Sequence, residues 1–311
     1  MLIQYIYSNM KRKKKKYKDN RNWKKYNEEL VMKGYFYINP GFLETWNEEV
    51  KQMNTGKVGN PYFYPKSMIE TLAILHCKSF DYRALEGLML GLSKNHKFEF
   101  PIIDYSTICR RVNALNISFP VENSNIVFND IAGNDATGIK VSNRGEWMRH
   151  KWKVQRGWIK VTMLANKKGE IIDVIVGTET MNENFAFRKM LKLHKESIGT
   201  IYGDGTYDTK TNFELCRQLK INPVFKIREN ASSNANGSMF RKQFVQEYKK
   251  LGYKKWSKKN KYGNRWLCTE VIFSAVKRIN GEYVRATKKE NMMHEAKMKF
   301  WAYNKIKQLN N

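Results

Sequence analysis

From about residue 125 onward the apolar residues of this chain fall into short runs parted by turn residues, and the order of those runs restricts the fold more than any other feature. Ile126-Val127-Phe128 leads towards Asn134-Asp135-Ala136-Thr137-Gly138, where the first strand is expected to end in a Thr-Gly turn. Trp158 to Leu164 reads as a second strand, and Asn166 to Gly169 makes a hairpin turn into a third over Ile171 to Val176. A helix is predicted at roughly 183 to 196, a strand at Thr200-Ile201-Tyr202, a helix at about 209 to 220 and a strand at Val224 to Ile227. Three strands in series followed by helix, strand, helix, strand describe an α/β fold on a mixed sheet with flanking helices. Neither usual spacing of a Gly-rich phosphate loop occurs.

Upstream the periodicity is helical. Pro61 to Pro65 reads as a turn, and Ser67 is placed to cap a helix that turns Met68, Leu72 and Leu75 inward. Asp81 can cap a second helix with Leu85, Leu88, Met89 and Leu92 at i, i+3, i+4 and i+7. Asp104 or Ser106 can cap a third, whose apolar face holds Ile108, Val112 and Leu115 and leaves Arg110 and Arg111 pointing away. Three short helices, the last with two arginines, fit a small all-helical, helix-turn-helix-like domain over residues 35–120; the same pattern also serves as a plain packing unit.

Charge says what such a chain meets. With 57 Lys and Arg against 29 Asp and Glu, the net charge is +28, and it gathers at the two ends. Residues 1–25 carry ten basic side chains and one acid, while residues 241–311 carry nineteen and five. A 41% hydrophobic and 13% aromatic composition is enough for packed cores, which excludes a wholly disordered basic protein. Two basic ends around a balanced centre suggest a footprint on phosphate, although a ribosome-associated protein or a solvated tail would carry similar charge. Residues 1–34 are expected to be a basic arm or fraying helix, with order beginning near Tyr35. No apolar stretch is long enough to span a membrane, and the scattered Cys77, Cys109, Cys216 and Cys268 suit a reduced protein rather than a disulfide or zinc framework.

The late part of the chain has a loop at Asn230 to Ser238, a lysine-rich insertion at about 230–260 with a helix near 240 to 250, and a helix at about 265 to 279. On that last helix Trp266, Glu270, Phe273 and Lys277 recur at steps of four, three and four, along one side. Three carboxylates stand out: Asp135, Asp204 between two glycines at the end of a strand, and Glu270. If the first and fourth strands are neighbours, both aspartates reach one edge, where a packed helix can bring the glutamate. Three converging carboxylates repel unless cations lie between them, and hard oxygen ligands select two Mg²⁺ or Mn²⁺ ions able to work on a phosphodiester. Singly, each has an ordinary reading: Asp135 capping a turn, Asp204 binding backbone amides, Glu270 pairing with a surface cation. Asp130 competes with Asp135 for the first place, and Asp208 reads as a helix N-cap. Between the first two strands Trp147, Trp152 and Trp158 lie among Lys151, Lys153 and Arg156, which suits a DNA channel or a solvated hairpin equally.

The stretches Asp135-Ala136-Thr137-Gly138, Gly145-Glu146-Trp147, Arg156 to Val161, Gly203-Asp204-Gly205-Thr206-Tyr207-Asp208 and Tyr262-Gly263-Asn264-Arg265-Trp266, followed by Glu270, Phe273, Ser274, Lys277 and Arg278, resemble prokaryotic insertion-sequence transposases of the DDE class. Phe80 to Leu92 and Pro101 to Leu115 resemble that family's helical N-terminal domain, so the likeness runs over roughly residues 55–305. It implies an RNase H-like catalytic domain over 121–311, with Asp135, Asp204 and Glu270 as the metal-binding carboxylates. It implies a cytoplasmic, nucleoid-associated enzyme that binds terminal inverted repeats of double-stranded DNA as a homodimer, cleaves the ends and joins the 3′ ends to target DNA. An inactive relic that only binds and represses, or a nuclease without strand transfer, would share these features. The candidate DNA contacts are Arg110 and Arg111 on the third helix, Lys151, Lys153 and Arg156 in the basic, aromatic segment, and Tyr262, Arg265, Trp266, Lys277 and Arg278 in the closing signature and its helix. In the family's closing signature three residues separate Arg from Glu; here four separate Arg265 from Glu270. One residue turns a helix by about 100°, so Arg265 is expected to precede the helix of Glu270.

Overall fold

The structure, a computed structural model, describes residues 22–38, 41–96, 100–119, 130–141, 150–151, 157–234 and 237–308. It divides into two compact units. The first holds α1 (Trp23–Ile38), so helix begins well before Tyr35. The second runs Pro40–Leu309.

The second unit opens with α2 (Trp46–Asn54), α3 (Lys66–Cys77), α4 (Tyr82–His96) and α5 (Tyr105–Asn113). Met68, Leu72 and Leu75 of α3 are buried, as their spacing requires, with Leu85, Met89, Ile108 and Val112. The expected cap at Ser67 is not there. Pro65 holds the N-cap position, and Ser67 lies inside the first turn with its N–H and hydroxyl donated to the Glu49 carboxylate of α2 at 2.9 and 2.5 Å. Asp81 and Asp104 do cap: the first accepts from the Ala84 N–H, the second from those of Ser106 and Thr107.

The sheet is built from β1 (Asp130–Val141), β2 (Trp158–Asn166), β3 (Ile171–Thr178), β4 (Ile198–Gly203) and β5 (Asn222–Phe225), in the order β3-β2-β1-β4-β5. The first three strands run antiparallel, β4 and β5 parallel to β1, and the short β6 (Tyr283–Val284) joins the far end of β1. This mixed sheet with a helical region before it is the RNase H-like arrangement implied by the resemblance. Helices α6 (Glu183–Leu193) and α7 (Lys210–Gln218) follow β3 and β4. Phe187, Met190 and Phe213 from them pack with Ala132, Leu164 and Ile201 into the core on one face. Then come α8 (Met239–Lys259), α9 (Asn264–Cys268), α10 (Glu270–Asn280) and α11 (Lys289–Gln308). Helix α11 closes onto β3, where the Asn304 side chain bonds both the N–H and the carbonyl of Ile171, at 2.9 and 2.6 Å.

Two expectations fail for physical reasons. Thr137-Gly138 does not end the first strand; β1 continues to Val141 because Trp158 of β2 lies over Gly138, where a Cβ would stand 2.1 Å from the indole. The helix expected at 265 to 279 is two helices, parted at Thr269 (φ −128°, ψ −72°), whose hydroxyl donates back to the Arg265 carbonyl at 2.9 Å. Phe273 is therefore buried while Trp266 and Glu270 are exposed, and the single side read from their spacing does not form.

Candidate active site

Along its edge away from β2, β1 pairs with β4 over Asp130–Gly133 and with β6 over Lys140–Val141. Asp135 lies between these two pairings. Gly133 is level with Tyr202 of the parallel β4, so two residues on, Asp135 comes level with Asp204 just past the end of β4. Asp130 instead starts β1 opposite the beginning of β4, and its carboxylate accepts from the Ile131 N–H. Its place in the register removes it from the level of Asp204.

The third acid arrives through α9. A Cβ on Gly133 would stand 2.6 Å from the Cys268 Cβ, so glycine is what lets α9 lie directly on β1. From α9, Arg265 reaches both other elements: one guanidinium nitrogen donates to the Asp135 carboxylate at 3.0 Å and another to Glu270 at 2.5 Å. The extra residue between Arg265 and Glu270 is absorbed by the break at Thr269, which places Arg265 ahead of the helix that Glu270 begins. Asp204 accepts from the Thr206 N–H at 2.8 Å and thereby shapes its glycine turn. Burial first, and then the charges of Asp204 and Glu270, push the Asp135 carboxyl up to about 6, against the Ala136 N–H and Arg265, which draw it down.

Sequence reasoning passed over Tyr207, three residues after Asp204. Its ring is fully buried against Phe187 and Phe225, and its hydroxyl has no hydrogen-bond partner among the described residues. Burial and then the Asp135, Glu183 and Asp204 charges hold that phenol well above the ordinary tyrosine range. Asp208 is not the N-cap expected of it; Thr209 caps α7, accepting from the Asn212 N–H, and Asp208 takes a two-pronged ion pair from Arg241 of α8 at 2.7 and 3.0 Å.

The remaining candidate residues divide. Trp266 and Arg278 are exposed, and Lys277 is half-buried seven residues along α10 from Glu270, burial lowering its ammonium below the usual lysine range. Tyr262 faces inward: its hydroxyl donates to the Gly203 carbonyl at 3.1 Å, which fixes the residue before Asp204. Arg110 is exposed, whereas Arg111 folds over the Tyr62 ring and donates to the Tyr64 carbonyl. Lys151 is exposed; Trp147, Trp152, Lys153 and Arg156 lie outside the described residues.

The donors suit a divalent cation in kind: three hard carboxylates, of which Asp135 is largely buried and feels the charges of Asp204 and Glu270. Among the described residues no three His, Cys, Asp or Glu side chains stand close enough to hold one as arranged, and the cation between Asp135 and Glu270 is the Arg265 guanidinium. No helix among the described residues is long and apolar enough to cross a membrane.

A family model described as a transposase DDE domain matches residues 130–305, more than half of the chain, and a second with the same description matches residues 31–144. No curated protein matches. Among solved structures, a chain of the simian T-cell lymphotropic virus intasome in complex with PP2A regulatory subunit B56 gamma is similar at 13% identity with a TM-score of 0.25, a likeness too loose to argue from. That match covers 63% of this chain and 64% of the other, so this chain spans less than two thirds of its length.

Proposed function

The chain belongs to the transposase DDE-domain family, and from that membership we propose that it binds the terminal inverted repeats of an insertion sequence, cleaves the DNA ends and transfers the 3′ ends to target DNA. The observation that carries the reading is the parallel register of β1 and β4, which brings Asp135 level with Asp204, together with the one guanidinium that Asp135 shares with Glu270. Register and guanidinium, from elements far apart in the chain, support the reading of these three acids as one site.

The family normally uses divalent metal ions, and the residues to hold two Mg²⁺ or Mn²⁺ ions are Asp135, Asp204 and Glu270. Such ions, when bound, activate a water or a 3′-hydroxyl and stabilise the leaving oxygen. The chain's own groups do the rest. Arg265 neutralises Asp135 and Glu270 in the arrangement described, and once free of them it is placed to grip a phosphate of the cut end. Lys277 and Arg278 hold the flanking backbone from the face of α10, and the exposed Trp266 ring offers a stacking surface for an unpaired base. Tyr262 and Tyr207 position the Asp204 turn from within the core. Two ends cut in concert call for a homodimer on DNA, in the nucleoid of a prokaryotic cytoplasm.

A labelled element end incubated with Mg²⁺ tests this. Asp135→Asn, Asp204→Asn and Glu270→Gln should each reduce strand cleavage to background while end binding, measured by gel shift, stays within about twofold of the parent. Cleavage surviving in any of the three would remove that residue from the site. A parent protein that binds ends and never nicks them would be the inactive repressor instead.

A further inference from the structure

We propose that residues 249–261, the end of the first limb of the kinked helix α8, its second limb and the turn after it, form a docking surface for the phosphodiester backbone of the DNA that flanks the acidic site. This inference deepens the transposase reading and rests on it.

The segment Lys249-Lys250-Leu251-Gly252-Tyr253-Lys254-Lys255-Trp256-Ser257-Lys258-Lys259-Asn260-Lys261 holds seven lysines and no carboxylate. All seven are exposed. Lysines 254 and 258, and likewise 255 and 259, are four apart, so along the limb they repel each other, each pair at a cost of about 0.2–0.5 kcal/mol. A face meant only to be solvated mixes its signs. Among the described residues the one ion pair here engages Lys259 with Glu247, outside the segment.

The limb is also held in place. Gly252 (φ 69°, ψ 160°) breaks α8 in a conformation that an L side chain rarely adopts, and so re-aims the second limb. Before the break, Val245, Phe244 and Tyr248 pack on the core with Phe213. Beyond it the limb buries Trp256, whose ring meets Tyr248 at 5.0 Å and Tyr262 at 5.1 Å over Tyr202 and Val224 of the sheet. Two further bonds fasten it to the end of β4: the Tyr202 hydroxyl donates to the Asn260 carbonyl, and the Tyr262 hydroxyl to that of Gly203. Gly203 adjoins Asp204. The limb that carries the lysines is therefore fastened to the end of β4, one residue before Asp204, and a strand entering the acids would pass its phosphates along it. Tyr253, half-exposed at the break with Lys226 over its ring at 5.8 Å, adds an aromatic face amid the charge.

The test uses the full chain without divalent metal and a fluorescent DNA duplex of arbitrary sequence, titrated by anisotropy at several potassium chloride concentrations. Lys254→Ala/Lys255→Ala/Lys258→Ala should lower the slope of log K against log salt by roughly 2 to 3, since each phosphate left unneutralised removes about 0.9. Affinity at low salt should fall at least about tenfold. The triple arginine variant should keep the parent slope. Lys189→Ala/Lys192→Ala/Lys195→Ala, an equal loss of charge from exposed positions on and after α6, should change it by less than half as much. Melting temperatures should match across the set, because Trp256 is untouched. A slope no lower than that of the α6 control overturns the docking surface while leaving the transposase reading intact. A parent chain that binds no duplex overturns both.

Discussion

His76 lies on α3, 5% exposed, with its ring stacked on Tyr82 at 4.3 Å. Its Nδ1 is 2.8 Å from the Phe80 carbonyl, which it can reach only as a donor. Nε2 is then the acceptor, facing the Arg285 guanidinium at 3.3 Å. Burial first and the Arg285 charge next lower this imidazole from the ordinary 6.5 to about 4, against the Phe80 bond. The unfolded chain therefore takes up this proton near 6.5 and the folded one only near 4, so the contribution of neutral His76 is complete above 6.5 and disappears as pH falls to 4. Its full loss is about 3 kcal/mol. Urea unfolding of the parent and of His76→Gln, compared across that interval, should show a stability gap that narrows as pH falls; a gap independent of pH would refute the assignment. Nothing around Leu75-His76-Cys77 in the sequence announces this, because the ring's surroundings are set by Arg285, far along the chain.

At the scale of elements, the lysine-rich α8 is fastened to the turn after β4 by Arg241 and Asp208, an aspartate with no exposed side-chain surface. Arg241→Ala leaves that carboxylate with the Arg228 N–H, which meets it at 3.0 Å, and without its countercharge. The expected cost is about 3–5 kcal/mol, and cleavage should fall with it because the Asp204 turn is released. Asp208→Asn combined with Arg241→Met should recover most of the stability, since the buried charge is then gone. A double variant as unstable as the single, measured by thermal melting, would mean that the pair does not fasten α8. The elements themselves were legible: apolar periodicity located α3 to α7 and the five main strands, and the expected caps are found at Asp81 and Asp104. What connects them was not. Asp208 looks like a helix cap because a cap is a local pattern, and its partner stands 33 residues away. The interval between Arg265 and Glu270 warned of a changed rotation, but the break at Thr269 depends on Cys268 lying against Gly133, a contact between distant segments. The strand running through Thr137-Gly138 was hidden in the same way, since a Thr-Gly pair looks like a turn until Trp158 covers it.

For the whole molecule, Asp135 and Asp204 could be singled out by residue type and order, while their coming level depends on β1 and β4 being parallel neighbours in register, which strand order along the chain allows but does not require. Charge is legible in the opposite sense: its sum and division are plain in the sequence, and its use depends on what anchors each block. The C-terminal block contains α10 and all of the second limb of α8, the limb packed on Tyr202 and Val224 of the sheet and Glu270 of α10 paired with Arg265. Residues 1–25, with net +9, belong for the most part to the chain before α1, and only Trp23, Lys24 and Lys25 fall in that helix. Charge that joins the chemistry affects binding and cleavage together, whereas charge that only attracts phosphate adds affinity that salt dissolves. Deleting residues 1–25 should therefore weaken duplex binding mainly at low salt and flatten its salt dependence by about 0.9 for each phosphate the arm had neutralised. Cleavage of ends already bound, followed in single-turnover reactions with Mg²⁺, should proceed within about twofold of the parent. Loss of all cleavage in the truncated protein would place the arm inside the catalytic assembly, and both basic ends would then act on the same phosphate.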